Sequence, residues 1–260
     1  MCLYKTHIHK AYRLQYMGAF EYFALSKAGG LETNDDFVST DAELGIFIVA
    51  DGMGGRAGGS QASKVAVEVF LEQLRFLTPS SRTEGSNLRH AITVANTKIC
   101  SLAKDNPMLS GMGTTLSALV TNNNKGKIVH VGDSRIYLLR NNNLNLLTKD
   151  HTLVAELIEQ NHLSDEGAKK YPLRNVLSRS IGTQEVLEPD VIDIELQNDD
   201  LVLLSTDGLS KGLKLESLRE ILINGQREAP ERLCNTLVET AVENHPHDNV
   251  SAVVIKVVKI

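Results

Sequence analysis

GIFIVADGMGG, residues 45–55, is the stretch on which the reading of this chain turns. GIFIVA is apolar enough to be a central strand, so its ends are partly buried. The residue that ends it is a carboxylate, Asp51, with Gly52 directly behind. The arrangement recurs on either side. Asp133 follows KIVHV in VGDSR, Asp207 follows DLVLLS in STDGL, and Asp248 opens HDNV just before SAVVIKVV. Asp35 and Asp36 lie in TNDDF beside another β-type run.

A carboxylate at a partly buried strand end loses hydration, and several together repel one another. They stay ionised only if cations or donors compensate them. The glycines after Asp51 and Asp207 allow tight turns and expose backbone carbonyls, which are further hard oxygen ligands. An oxygen-only cluster without nearby Cys or His selects Mg²⁺ or Mn²⁺ over Zn²⁺. Two such ions about 3.5–4 Å apart clamp a phosphoryl group and deprotonate a bridging water at neutral pH. That is phosphoester hydrolysis without a protein nucleophile. Any one Asp-Gly after a strand is more often only a turn. The repetition points to metal, although spacing alone does not bring the acids together in space.

Around these strands the periodicities alternate in blocks. Strands are expected at 20–25 and 45–50, then a helix whose stripe is Ala62, Val65, Ala66, Val69, Phe70, Leu74 and Leu77. Leu88, Ala91, Ile92, Ala95, Ile99 and Leu102 mark a second helix, with Ser86 placed to cap it. Strands return at 115–120, 127–131, 136–140 and 144–147, with Asn-bearing turns at 122–124 and 141–143. Helical stretches at 151–160 and 164–170, strands at 191–196 and 201–205, helices at 215–223 and 231–243 and a strand at 251–258 complete the pattern. Pro230 opens the last of those helices. This order predicts antiparallel sheets with helices packed outside, an α+β fold, rather than a doubly wound parallel sheet.

The 260 residues are 42% hydrophobic and 23% charged, enough to bury a sizeable core, and no linker divides them. One domain over 1–260 is expected, with its core at about 20–258. A net charge of -5 argues against nucleic acid or an anionic membrane as partner. Three scattered cysteines, Cys2, Cys100 and Cys234, suit a reducing compartment, and no stretch reaches the ~20 apolar residues of a membrane span. A cytoplasmic monomer is expected.

Eight motifs in order resemble the metal-dependent Ser/Thr protein phosphatase (PPM) family in its compact bacterial form. They are NDD at 34–36, DGMGG at 51–55, GMGTT at 111–115, VGDSR at 131–135, LTKDHT at 147–152, RNVLSRSIG at 174–182, STDGL at 205–209 and DNVSAVVI at 248–255. The resemblance implies a four-layer α/β/β/α sandwich, two antiparallel sheets flanked by helix pairs, with two Mn or Mg ions at one end. On the family pattern Asp51 bridges both ions. Asp35 and the Gly52 carbonyl serve one, and Asp207 and Asp248 the other. Asp133 with Asp207 matches a weaker third site, Asp36 orients the ligands from behind, and 151–170 forms a flap that helps choose substrate. The implied partners are proteins phosphorylated by a Ser/Thr kinase.

Two departures stand out. Leu31 occupies the position of the family's phosphate-gripping arginine, a fork that leucine cannot supply, which leaves Lys27 or Arg56 as substitutes. Asp35 replaces a longer Glu or Gln. Met53 stands where many eukaryotic relatives carry a histidine, and reads as packing. His151 reads as structural, and Arg135 and Arg179 as supports of local carboxylates or backbone. Thr114 and Thr115 suit packing near the site, and His245 and His247 are loop residues. The alternative to an active phosphatase is a catalytically weak phosphoprotein-binding module. A phosphodiesterase or nuclease is disfavoured by the acidic charge.

Overall fold

The structure, a computed structural model, describes residues 8–12 and 19–260, with the backbone alone at 8–12, 55–57 and 165; Cys2 lies outside the described residues. Strands β1 (Ile8–Tyr12), β2 (Phe20–Lys27), β3 (Asp36–Asp41) and β4 (Ile46–Met53) come first. Helices α1 (Gly55–Arg75), α2 (Pro79–Arg82) and α3 (Gly85–Asp105) follow. After a 3-10 turn at Pro107–Leu109 come β5 (Gly113–Thr114), β6 (Leu116–Asn122), β7 (Lys125–Val131), β8 (Arg135–Arg140) and β9 (Asn143–Leu146). Short helices α4 (Leu153–Glu159) and α5 (Asp165–Lys169) precede strands β10 (Asp190–Glu195) and β11 (Leu201–Ser205). Helices α6 (Asp207–Gly212), α7 (Leu215–Gly225) and α8 (Pro230–Asn244) lead to β12 (Val250–Val257).

One sheet has the order β1-β2-β12-β11-β8-β9 and the other β10-β7-β6-β4-β3, with β5 added to β4. Every pairing is antiparallel. The unbroken apolar run in β4 has a simple cause: both of its faces are covered. Phe47 and Val49 face the other sheet, where they meet Phe20, Tyr22, Val202, Leu204 and Val253. Phe47 meets the Phe20 and Tyr22 rings edge-on, at centroid separations of 5.9 and 5.2 Å. Ile46, Ile48 and Ala50 face outward onto Ala62, Ala66 and Phe70 of α1 and Ile92 and Ala95 of α3. On the opposite flank, Leu203, Ala252 and Val254 meet Leu218 and Leu222 of α7 and Leu237 and Val238 of α8. Each such large side chain contributes roughly 1.5–3 kcal/mol by leaving water. The layers are helix, sheet, sheet, helix, the α+β sandwich that the family resemblance implied.

Three local features differ from expectation. Ser86 does not cap α3. The helix begins at Gly85, and its flanking Glu84 makes no side-chain cap bond. The turn of α2, itself capped by Thr78, delivers the chain already helical, and Leu88 N–H donates to the Glu84 carbonyl. Ser86 therefore falls inside the first turn. Arg82 anchors this junction from a buried position by donating to the carbonyls of Leu44 and Leu77. The second difference is α6, a short helix where STDGL reads as a turn. The third is β1, for which the sequence carries no periodic signal. No helix among the described residues is long and apolar enough to cross a membrane.

Candidate metal centre

Asp36 and Asp51 are register partners at the start of β3 and the end of β4. Asp133 lies in the turn between β7 and β8, Asp207 opens α6 just past β11, and Asp248 precedes β12. Because β11 and β12 run antiparallel with Ser205 opposite Ala252, the end of one and the start of the other meet. The same holds for β6 and β7, where Leu116 pairs with Val131. The antiparallel order thus delivers carboxylates from both sheets to one pole of the sandwich.

Their electrostatics show that they share a space. Burial pushes the Asp51 carboxyl well above the usual carboxylate range, and Asp36, Asp207, Asp133 and Asp248 push in the same direction. Burial, reinforced by Asp207 and Asp150, raises Asp133 to about 7, with Lys211 opposing. Asp36 is raised to about 7 by burial first, although hydroxyl donors from Ser251 and Thr206 favour its charge. Those hydroxyls lie 2.7 and 2.8 Å from Asp36 Oδ2. Asp35, also raised by burial, is held by a backbone bond from Ser60.

The backbone of the site is fitted tightly. A Cβ on Gly52 would overlap the Gly59 carbonyl, so glycine alone fits there. Gly54, with φ +118°, turns the chain from β4 into α1. The Gly52 carbonyl and Asp35 Oδ2 both crowd Gly59, 2.8 and 2.7 Å from where a Cβ would stand. Thr115 Oγ1 accepts from Asp51 N–H, and Thr114 Oγ1 donates to the Asp51 carbonyl, each at 2.9 Å. Met53 lies against Gly113 through its terminal methyl.

Asp35 Oδ1, Asp36 Oδ1 and Asp207 Oδ1 are buried without a hydrogen-bond partner. Buried carboxylate oxygens left without donors, gathered among further acids, are what a hard cation compensates. The donor set fits Mg²⁺ or Mn²⁺. Among the described residues, no three His, Cys, Asp or Glu side chains converge tightly enough to hold an ion as they stand. A lysine stands between two of them: Lys211 Nζ lies 2.5 Å from Asp207 Oδ2 and 2.7 Å from Asp248 Oδ2.

The remaining expected residues fall in varied places. Lys27 Nζ pairs with Glu239 at 3.1 Å, turned towards α8 rather than the acids. Arg56 is in the first turn of α1, and its side chain lies outside the described residues. Leu31 is 44% exposed, and its loop leans on the 246–248 segment, where Gly30 N–H donates to the Pro246 carbonyl. Arg135 forms a two-pronged pair with Asp150, and Arg179 pairs with Asp190. His151 is buried, accepts from Gly132 N–H on Nδ1, and places Nε2 3.2 Å from Asp190 without hydrogen-bond geometry. Sequence reasoning passed over Lys211, Thr206, Ser251 and Asn249. Asn249 Oδ1 accepts from Asp35 N–H, and its Nδ2 donates to the Ala28 and Thr33 carbonyls, so it clamps the Asp35 loop to Asp248. Only Thr206 and Asn249 stand directly beside an acid in the chain, next to Asp207 and Asp248, and that position alone does not say what either side chain would bind.

The family model described as Protein phosphatase 2C matches residues 27–241. The chain belongs to this family. It is 35% identical over 213 residues to the serine/threonine phosphatase stp of Listeria welshimeri, an alignment spanning 81% of this chain and 84% of that relative. Among solved protein phosphatase 2C relatives, the Mycobacterium tuberculosis serine/threonine phosphatase PstP matches with a TM-score of 0.84 at 33% identity, over 93% of this chain and 100% of that one. A structure of the PstP catalytic domain in complex with two manganese ions matches with a TM-score of 0.80 at 32% identity, over 93% and 99% of the two chains.

Proposed function

We propose that this chain is a metal-dependent phosphatase that removes phosphate from phosphoserine and phosphothreonine of proteins. The observation that carries the reading is the gathering of half-buried, mutually repelling carboxylates around the buried Asp36 at one pole of a protein phosphatase 2C fold. Asp51 takes the central position. Asp35 and the Gly52 carbonyl would serve one ion, Asp207 and Asp248 the other, and Asp133 with Asp207 a weaker third. Two bound Mn or Mg ions supply positive charge for the phosphoryl group and a water acidified towards neutrality.

The chain's own groups set the stage for that chemistry. Thr206 and Ser251 orient Asp36 behind the ligands. Thr114 and Thr115 fix the backbone of Asp51 at the pole. Residues 151–170, with α4 and α5, act as the flap, which the buried His151 ties to the Gly132 turn. Lys27 is drawn to Glu239, which leaves Arg56 as the candidate cation for the substrate phosphate. The substrates are products of a Ser/Thr kinase, met in the cytoplasm by a monomeric enzyme. The net charge of -5 suits protein rather than nucleic-acid substrates.

The test is hydrolysis of a phosphothreonine peptide and of a small aryl phosphate. Activity should require Mn²⁺ or Mg²⁺, stop with chelator, and fall by about two orders of magnitude or more in Asp51→Ala and Asp207→Ala. Normal turnover by either variant would overturn the proposal.

A further inference from the structure

Among the described residues, Lys211 is the only Lys or Arg ion-paired with any of Asp35, Asp36, Asp51, Asp133, Asp207 and Asp248. Its position follows from α6, where the i,i+4 spacing turns the flexible stem back over Asp207. The ammonium touches Oδ2 of both Asp207 and Asp248, the two acids assigned to the same ion. An ammonium is a compact, strongly hydrated point charge with several donors, the closest a side chain comes to a small cation. The Lys211 side chain is 33% exposed and so borders solvent.

We propose that Lys211 is a tethered competitor for the divalent ion at Asp207 and Asp248. It holds those carboxylates together before metal arrives, and it yields to solvent when the ion enters. This rests on the metal-dependent reading above and adds to it a built-in regulator of metal affinity. Asp207 and Asp248 come from segments far apart in the chain, and without a cation between them they repel across the seam of β11 and β12. Lys211 therefore keeps the metal-free pole assembled while weakening the hold on one ion. It also sets the order of events: the ammonium must leave before that ion is fully seated.

The experiment is a calorimetric Mn²⁺ titration of the metal-stripped full chain, with a melting curve of the same preparations. Compared with wild type, Lys211→Gln should bind one ion on the order of tenfold more tightly. Its metal-free form should melt lower, and the gap should close at saturating Mn²⁺. Lys211→Arg, which keeps the charge, should stay near wild type. Lys211→Met retains the stem's packing and gives the same two readings should the glutamine variant fold poorly. Unchanged or weaker Mn²⁺ affinity in both neutral variants overturns the competitor role. If both neutral variants fail in this way while wild type binds Mn²⁺ and Asp51→Ala does not, the metal centre stands and only the role of Lys211 falls. A folded wild type that binds no Mn²⁺ overturns both.

Discussion

Leu31 sits where the family resemblance puts a guanidinium, on a loop packed against the backbone around Asp248. Its side chain is half exposed, so a longer one has room. Leu31→Arg should lower KM for a phosphothreonine peptide by roughly tenfold with little change in kcat, because the added fork would bind ground and transition states alike. Unchanged KM would show that another cation already grips the phosphate. At Asp36, Thr206→Val and Ser251→Ala should each destabilise the protein by about 1–3 kcal/mol, since each strips a donor from a buried carboxylate. Denaturant melts of the single and double variants test this, and the double should be non-additive because both serve one oxygen. The acids were legible because each ends or opens a strong apolar run. Lys211 and Asn249 were not, because their partners are remote: the Asn249 to Asp35 bond spans 214 residues. A lysine in DGLSKG looks like any solvated residue until the fold places Asp248 beside it.

The elements follow from how many faces each must bury. β4, β11 and β12 are covered on both sides and read as continuous apolar runs, which made them plain in sequence. Phe47→Ala, at the centre of the layer between the sheets, should cost about 3–5 kcal/mol in a thermal or denaturant melt. α6 was not legible, since six residues with two glycines fall below the length at which helical periodicity declares itself. β7 carries a further feature, the fully buried His130. Its Nδ1 accepts from Ser117 Oγ at 2.8 Å and its Nε2 donates to the Lys149 carbonyl at 2.9 Å, with the His151 ring 4.7 Å away. Burial, with a smaller push from His151, lowers its pKa from 6.5 to about 4. The unfolded chain therefore takes up a proton first as pH falls, and stability drains between 6.5 and about 4, by at most about 3 kcal/mol. The stability gap between wild type and His130→Asn should narrow across that window. A constant gap would remove the assignment.

At the scale of the whole molecule, antiparallel sheets with helices outside were readable from the order of the elements, because blocks of strands and helices exclude a strictly alternating parallel sheet; the two-sheet sandwich came from the family resemblance. Which residues of the two sheets oppose one another was not readable, since that depends on twist and packing rather than on sequence period. The converging acids have a global consequence. In the folded, metal-free protein Asp36 and Asp133 are raised to about 7, so near neutrality it binds protons that the unfolded chain has already released. With chelator present, the melting temperature should rise as pH is lowered from 8 to 6.5, above the range in which His130 contributes. Excess Mn²⁺ should flatten that slope by replacing the protons. A flat profile with chelator would mean that burial and neighbouring charge do not raise Asp36 and Asp133 as described.

The antiparallel order that collects the acids at one pole also sends the β6–β7 hairpin to the other. There Asn123, exposed and at φ +55°, turns the chain about 23 Å of strand away from Asp133. That hairpin is a handle. A fluorophore or surface tether attached through Asn123→Cys would hold the molecule upright with its reactive mouth facing the solution, ready to be loaded with ions and peptides while anchored.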